Sequence, residues 1–118
     1  MRVEQIVAKT LKNIGVPCTK LVWNDENNIP EQYVTWYEIL RKTKQTADDV
    51  EILETYHIAV NIYSKYGKSY LDVLEKIEQQ MEQNGFIKSS YANEKFDKDT
   101  GYIHKPLSFK YYKHKERG

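Results

Sequence analysis

Residues 54–65 read Glu-Thr-Tyr-His-Ile-Ala-Val-Asn-Ile-Tyr-Ser-Lys, and their period of two constrains the fold more than any other feature of the chain. Alternate side chains of an extended strand leave opposite faces, so Ile58, Val60 and Ile62 share one side while His57, Ala59, Asn61 and Tyr63 share the other. The apolar side has to face a core, and the polar side faces water or a partner. A single strand can build neither sheet nor core, so the remaining residues must supply neighbouring strands and a covering layer.

Two segments have the pattern of that covering layer. Residues 3–14 place Val3, Ile6, Val7, Leu11 and Ile14 at helical spacing, with Glu4, Gln5, Lys9 and Lys12 on the other side. Gly15 follows where a left-handed cap is wanted, and Pro17 prevents continuation. The second segment opens after the Tyr66-Gly67-Lys68 turn, with Ser69 as the expected N-cap and Asp72 in the first turn. Leu71, Leu74, Ile77 and Met81 form its apolar stripe, Glu75, Glu78, Gln79 and Glu82 are solvated, and Asn84-Gly85 ends it.

Four further runs read as strands. Residues 16–23 give a short first strand, and Asn24-Asp25-Glu26-Asn27-Asn28 with Pro30 give a turn-rich acidic loop. Residues 32–42 carry Tyr33, Val34, Thr35, Trp36, Tyr37 and Ile39, a β-branched and aromatic run. Residues 41–51 switch from Arg41, Lys42 and Lys44 to Asp48, Asp49 and Glu51, which predicts a polar connection, a projecting hairpin loop. Residues 86–91 and 102–112 form the last pair, antiparallel neighbours across a polar segment at 93–101 that contains the Asp99-Thr100-Gly101 turn. The predicted fold class is α+β, a two-layer sandwich. A mostly antiparallel sheet of four to five strands carries two amphipathic helices on one face. Residues 1–112 make one domain and 113–118 a polar, frayed tail. The predicted core sets Val3, Ile6, Val7, Leu11, Leu71, Leu74, Ile77 and Met81 against Ile58, Val60, Ile62, Leu107 and Phe109.

A length of 118 residues suits one such domain and buries enough surface to fold without a disulfide or metal. Eighteen Lys and Arg against seventeen Asp and Glu leave a net charge of +1, so the whole-protein field does not gather nucleic acid. Cys18 is alone, which excludes an internal disulfide and fits a reducing compartment. Charges at Arg2, Glu4, Lys9 and Lys12 break up any apolar run near the start, so neither a signal peptide nor a membrane span is expected there and cytoplasmic residence is the default. Ten tyrosines are the oddity, and they suit half-buried sheet faces and protein interfaces.

Every constellation that could carry chemistry has a plainer explanation. His57, His104, His114 and Cys18 are the candidate metal ligands, but no two stand at the short spacing of structural zinc sites, and ordinary sheet-surface histidines account for them. Cys18 beside Pro17 has no nucleophile signature and reads as a small buried hydrophobe. Gly67-Lys68-Ser69 lacks the first glycine of a phosphate-binding loop and is a turn plus a cap. The acidic pairs Asp25-Glu26, Asp48-Asp49 and Asp97/Asp99 sit in solvated turns, and Gly101 falls one position early for a calcium loop. The expectation is no catalytic, cofactor or metal site and no enzyme. Lys105, Lys110, Lys113, Lys115 and Arg117, interleaved with Tyr111 and Tyr112, are the one candidate nucleic-acid track. The competing explanation is an edge strand on which lysines block unwanted pairing, and the near-neutral whole favours it.

Three stretches together carry a family resemblance: Tyr33-Val34-Thr35-Trp36-Tyr37-Glu38, residues 54–65, and Lys98-Asp99-Thr100-Gly101-Tyr102-Ile103-His104-Lys105-Pro106-Leu107-Ser108-Phe109. With the intervening helix through Met81 and Gly85-Phe86, their order and spacing over residues 1–112 resemble small tail-completion (tail terminator) proteins of long-tailed phages and prophages. The resemblance implies an α+β subunit of a ring, commonly a hexamer, that caps the finished tail tube and joins it to the head connector. The implied partners are the tail-tube protein and head connector proteins, and the implied location is the host cytoplasm and then the particle. It assigns no catalytic or contact residues. A neck or head-connector component of the same particle is the alternative within that resemblance. A small nucleic-acid-binding regulator using the basic C-terminal strand is the alternative outside it.

Overall fold

A computed structural model describes residues 2–25, 27–45 and 51–116. Its elements run α1 (Val3–Leu11), β1 (Cys18–Lys20), β2 (Gln32–Gln45), β3 (Glu51–Lys65), α2 (Leu71–Gln83), β4 (Ile87–Tyr91), β5 (Lys95–Asp97) and β6 (Tyr102–Glu116). The strands make one sheet in the order β1-β2-β3-β6-β4, with β5 also paired to β6. All pairs are antiparallel except β1 with β2, which is parallel. The α+β class and the two-helix layer stand as predicted.

The strand anticipated from its alternation, β3, is the centre of the sheet, paired along its whole length on both sides. Its apolar residues set the level of their neighbours: Ile58 stands beside Phe109, Val60 between Trp36 and Leu107, and Ile62 beside Val34. All seven are buried, and Val7, Leu11, Ile14, Ile77 and Met81 close over them from the helix layer. Burying such side chains stabilises by about 1.5–3 kcal/mol each relative to exposure, so this row is the main source of cohesion.

The start of α1 and the end of α2 have caps that their sequences explain. Helix α1 ends at Leu11 with Lys12 as its C-cap, short of the expected residue 14, and Gly15 at φ 84° turns the chain beyond the helix and does not cap it. In α1 the Gln5 side chain accepts from the Arg2 backbone N–H at 2.9 Å, and the buried Thr10 hydroxyl donates to Ile6 O at 2.6 Å. The chain leaves α2 through Gly85 at φ 89°, with Phe86 N–H on Met81 O at 2.9 Å and Gly85 N–H on Glu82 O at 3.1 Å. That double closure is a Schellman cap, and Phe86 is the buried residue that seals it. The start of α2 differs from expectation. Tyr70 occupies the N-cap without a side-chain cap bond, and Ser69 Oγ lies a long 3.4 Å from Leu71 N. Leu71 does not pack in the core: it is 59% exposed, and Val73 takes its place at 6%. At roughly 100° per residue, Val73 stands about 40° from Ile77 around the axis and Leu71 about 120° away. Leu74 lies between these extremes and is partly buried.

The strands depart from expectation in five places. Only Cys18–Lys20 of the predicted 16–23 strand pairs, because Leu21 turns away with φ 72°. β5 was hidden in the polar 93–101 segment: Lys-Phe-Asp has no apolar side to reveal it, and all three residues are exposed. Residues Thr43–Gln45, expected only as part of the 41–51 connection, continue β2 and pair with Ile52–Glu54, while 46–50 lie outside the described residues. Likewise 113–116 are no frayed tail, since β6 pairs with β3 as far as Glu116. Polar composition misled in both cases, because backbone pairing with β3 holds these segments whatever their side chains. A bulge at Ile39, between Glu38 and Leu40, also shifts the alternation of β2, so that Arg41 follows Trp36 and Glu38 onto the helix side.

Candidate functional site

The side of the sheet away from the helices carries no helix among the described residues; Leu21, Val22 and Trp23 lie beside Tyr33, Thr35 and Tyr63 on it, and Thr35, Ala59 and Asn61 are buried there. Tyr33 stands beside Tyr63 and Tyr63 beside His104, while Thr35, Asn61 and Pro106 form the next row. Tyr33 and Tyr63 stack at 4.8 Å and 14°, and Tyr63 and His104 at 4.6 Å and 7°. Trp23 extends the row at 5.5 Å from Tyr33, and Tyr102 meets Tyr33 edge-on at 5.9 Å. Ring pairs of this kind contribute about 0.5–1.5 kcal/mol beyond the area they bury. They make a rigid platform in which each ring is held by its neighbours.

Polar contacts fix the platform's edges. His104 Nε2–H donates to Asn61 Oδ1 at 2.7 Å, and the Tyr102 hydroxyl donates to Pro30 O at 2.6 Å, tying the 24–30 loop to the sheet. Burial, then nearby Lys95, pushes the His104 imidazole below its usual range, so the ring is neutral near pH 7. Burial also raises the Tyr33 and Tyr63 phenols, which stay protonated. Against this platform lies a cavity of about 290 Å³, bounded by Ile29, Tyr33, Tyr63, Tyr102, His104 and Asp97. Its walls offer rings and a few polar groups.

The remaining candidates are scattered. His57 faces Lys110 on the open side, six residues along β3 from Tyr63 and so far from His104, and the two histidines do not meet. Burial, Lys110 and Lys42 hold its pKa below the ordinary value. Among the described residues no three His, Cys, Asp or Glu side chains are grouped to hold a metal. Cys18 packs against the core, and burial pushes its thiol up to about 12, as a small hydrophobe and not a nucleophile. Asp97 and Asp25 each cap a turn, accepting from Asp99 N–H and Asn27 N–H. Asp48 and Asp49 lie outside the described residues. Lys68 pairs with Glu31 at 3.4 Å, and its carbonyl accepts from Ser64, so the 67–69 turn is a structural tie.

The basic strand is split between the faces. Lys105 and Lys113 stand on the helix side, level with Ile62 and Glu54, whereas Lys110 stands on the open side, level with His57. Lys105 Nζ is occupied by Ala92 O at 2.9 Å. Lys113 joins Arg2 and Arg41 around a cavity of about 380 Å³ at the start of α1, with Tyr56 beneath and the Arg41 guanidinium 4.6 Å from its ring. These cations do not line one track. The aromatic platform was missed in the sequence because its members come from three strands and a loop, although the ten tyrosines were a sign that such a surface existed.

No protein-family model matches this chain, and no curated protein does. Solved structures do match. One is a chain in the virion of a native gene transfer agent particle, with a TM-score of 0.61 and 8% sequence identity. The match covers 98% of this chain and 95% of that one, so what the two share is the fold from end to end. Among the described residues no helix is long and apolar enough to cross a membrane.

Proposed function

We propose that this chain is a structural protein of a phage, prophage or related particle, and within it the tail terminator (tail-completion) subunit. The observation that carries this reading is the end-to-end fold shared with a chain of a gene transfer agent virion, with little of either chain left over. The sequence resemblance over residues 1–112 points the same way from independent features. The scattered titratable groups and the contact-type aromatic platform fit a protein that works through its surfaces and performs no catalysis. The splitting of the lysines between two faces disfavours the nucleic-acid regulator.

Termination requires a subunit whose two exposed ends differ, because identical ends would continue the polymer. This fold supplies different surfaces: a helix layer rich in solvated carboxylates on one side and an aromatic, helix-free sheet on the other. In this reading the protein forms a ring, commonly a hexamer, that meets the tail-tube protein with one surface and head connector proteins with another. It is made in the host cytoplasm and then incorporated into the particle. Deleting the gene tests the reading by electron microscopy of negatively stained lysates. The expected result is tails of uncontrolled length and heads without joined tails, restored by the gene in trans. Normal tail lengths on normally joined heads would refute it.

A further inference from the structure

Two stretches of sheet edge are free among the described residues. β1 covers β2 only from Val34 to Trp36, and the last backbone bond on that side is Leu21 N–H to Trp36 O. Beyond the bulge, Arg41–Gln45 pair with β3 alone. On the opposite margin, β4 covers β6 from Leu107 to Lys110, and Tyr111–Glu116 also pair with β3 alone. The hairpin and the end of β6 therefore make a three-stranded arm with both margins bare, in a molecule 54 Å long and about 25 Å across. Each margin presents backbone N–H and C=O groups without a partner strand, a template for adding another strand.

The two margins match in height, length and direction. Lys42 and Tyr112 both stand level with Thr55, Thr43 and Lys113 with Glu54, and Lys44 and His114 with Leu53. Both β2 and β6 run antiparallel to β3, so they run parallel to each other. One copy's β2 margin can thus meet the next copy's β6 margin with both molecules in the same orientation. Such a contact is heterologous, and it closes into a ring when the rotation between copies returns on itself. The side chains are mostly basic on both margins, and the flush neighbours would be Lys42 with Tyr112, Thr43 with Lys113 and Lys44 with His114, so that no level sets two lysines against each other. Cationic side chains on both margins would also limit indiscriminate pairing of free copies.

We propose that copies of this chain assemble by parallel pairing of the Arg41–Gln45 margin of one with the Tyr111–Glu116 margin of the next. That the contact closes into a ring rests on the terminator reading; the pairing itself rests on the two margins. Cysteine pairs test it, in a Cys18→Ser background. Thr43→Cys with Lys113→Cys puts both thiols on the helix side, and Lys44→Cys with His114→Cys puts both on the open side. Thr43→Cys with His114→Cys places them on opposite sides as a control. Purified, concentrated protein and particles from cells expressing each variant would be oxidised mildly and separated without reductant. The two same-side pairs should give a ladder of multimers that ends at one closed species, and the opposite-side pair should give no ladder. A ladder absent from both same-side pairs, in folded protein and in particles that contain it, overturns the pairing even if gene deletion still deregulates tail length. A ladder in protein whose gene deletion leaves tails normal keeps the pairing and sinks the terminator reading.

Discussion

Replacing Ile77 by alanine should destabilise the fold strongly, while the same replacement at Leu71, on the same helix, should not. Ile77 is fully buried in the centre of α2, facing the row built on β3. The substitution removes three carbons, worth about 0.8 kcal/mol each in transfer alone, or roughly 2.4 kcal/mol. The space left is enclosed by helices and sheet and can collapse only in part, which brings the cost to about 3–4 kcal/mol, within the span for buried Ile-to-Ala changes. Leu71 at 59% exposure loses little contact, and alanine's better helix propensity offsets part of that, so its cost should stay below about 0.5 kcal/mol. Urea unfolding followed by tryptophan fluorescence and circular dichroism measures both, provided the slope with denaturant is unchanged. Equal costs at the two positions, or a cost at Ile77 below about 1 kcal/mol, would mean that α2 presents a different face to the sheet.

Gly85→Ala should cost at least about 1 kcal/mol, because residue 85 stands at φ 89° and an added Cβ would lie 3.3 Å from the Tyr111 ring; thermal melting of the variant checks it. Stability should hold above the ordinary histidine value of about 6.5 and decline as pH falls through the lower folded values of His104 and His57, since folding favours their neutral forms. Urea midpoints across pH should show that decline, smaller in His104→Gln, and a midpoint that rises on acidification would contradict the assignment. Cys18, with its thiol raised to about 12, should resist iodoacetamide at pH 8 in native protein and react readily in urea, as read by mass spectrometry; rapid native labelling would show that the thiol is not packed.

How much of this was legible in the sequence depends on what held each element in place. α1, β3 and the end of α2 were legible because local pattern and tertiary packing agree there. Val3, Val7 and Leu11 recur at helical spacing and are buried, Ile58, Val60 and Ile62 alternate and are buried, and Gly85 stands where only a left-handed residue fits. The N-cap of α2 falls one residue later than Ser69, and Val73 replaces Leu71 in the buried stripe, because Leu71 at spacing three from Leu74 looks like a stripe until the helical angle is followed through. The ends of β2 and β6 and the whole of β5 were not legible. Their residues carry no apolar period, and what orders them is backbone pairing to a strand distant in sequence. The aromatic platform was visible only as a count of tyrosines. Its assembly from Tyr33, Tyr63, Tyr102 and His104 depends on a register that no single segment specifies.

That division bears on function. The segments that local pattern predicts are those buried in one contiguous core, where each side chain is fixed by its own subunit. The segments it fails to predict are the ends of β2 and β6 and the aromatic platform, whose side chains carry no apolar period of their own. A protein that must stay dispersed until its partners are present, and then meet them over an extended surface, has to keep its contact elements free of strong local patterns, since an apolar stripe on the arm would bring copies together prematurely. In the proposed assembly, lysines along both margins and a half-buried platform of tyrosines would satisfy both demands. They would permit the proposed backbone pairing when orientation is right and would give little adhesion when it is wrong.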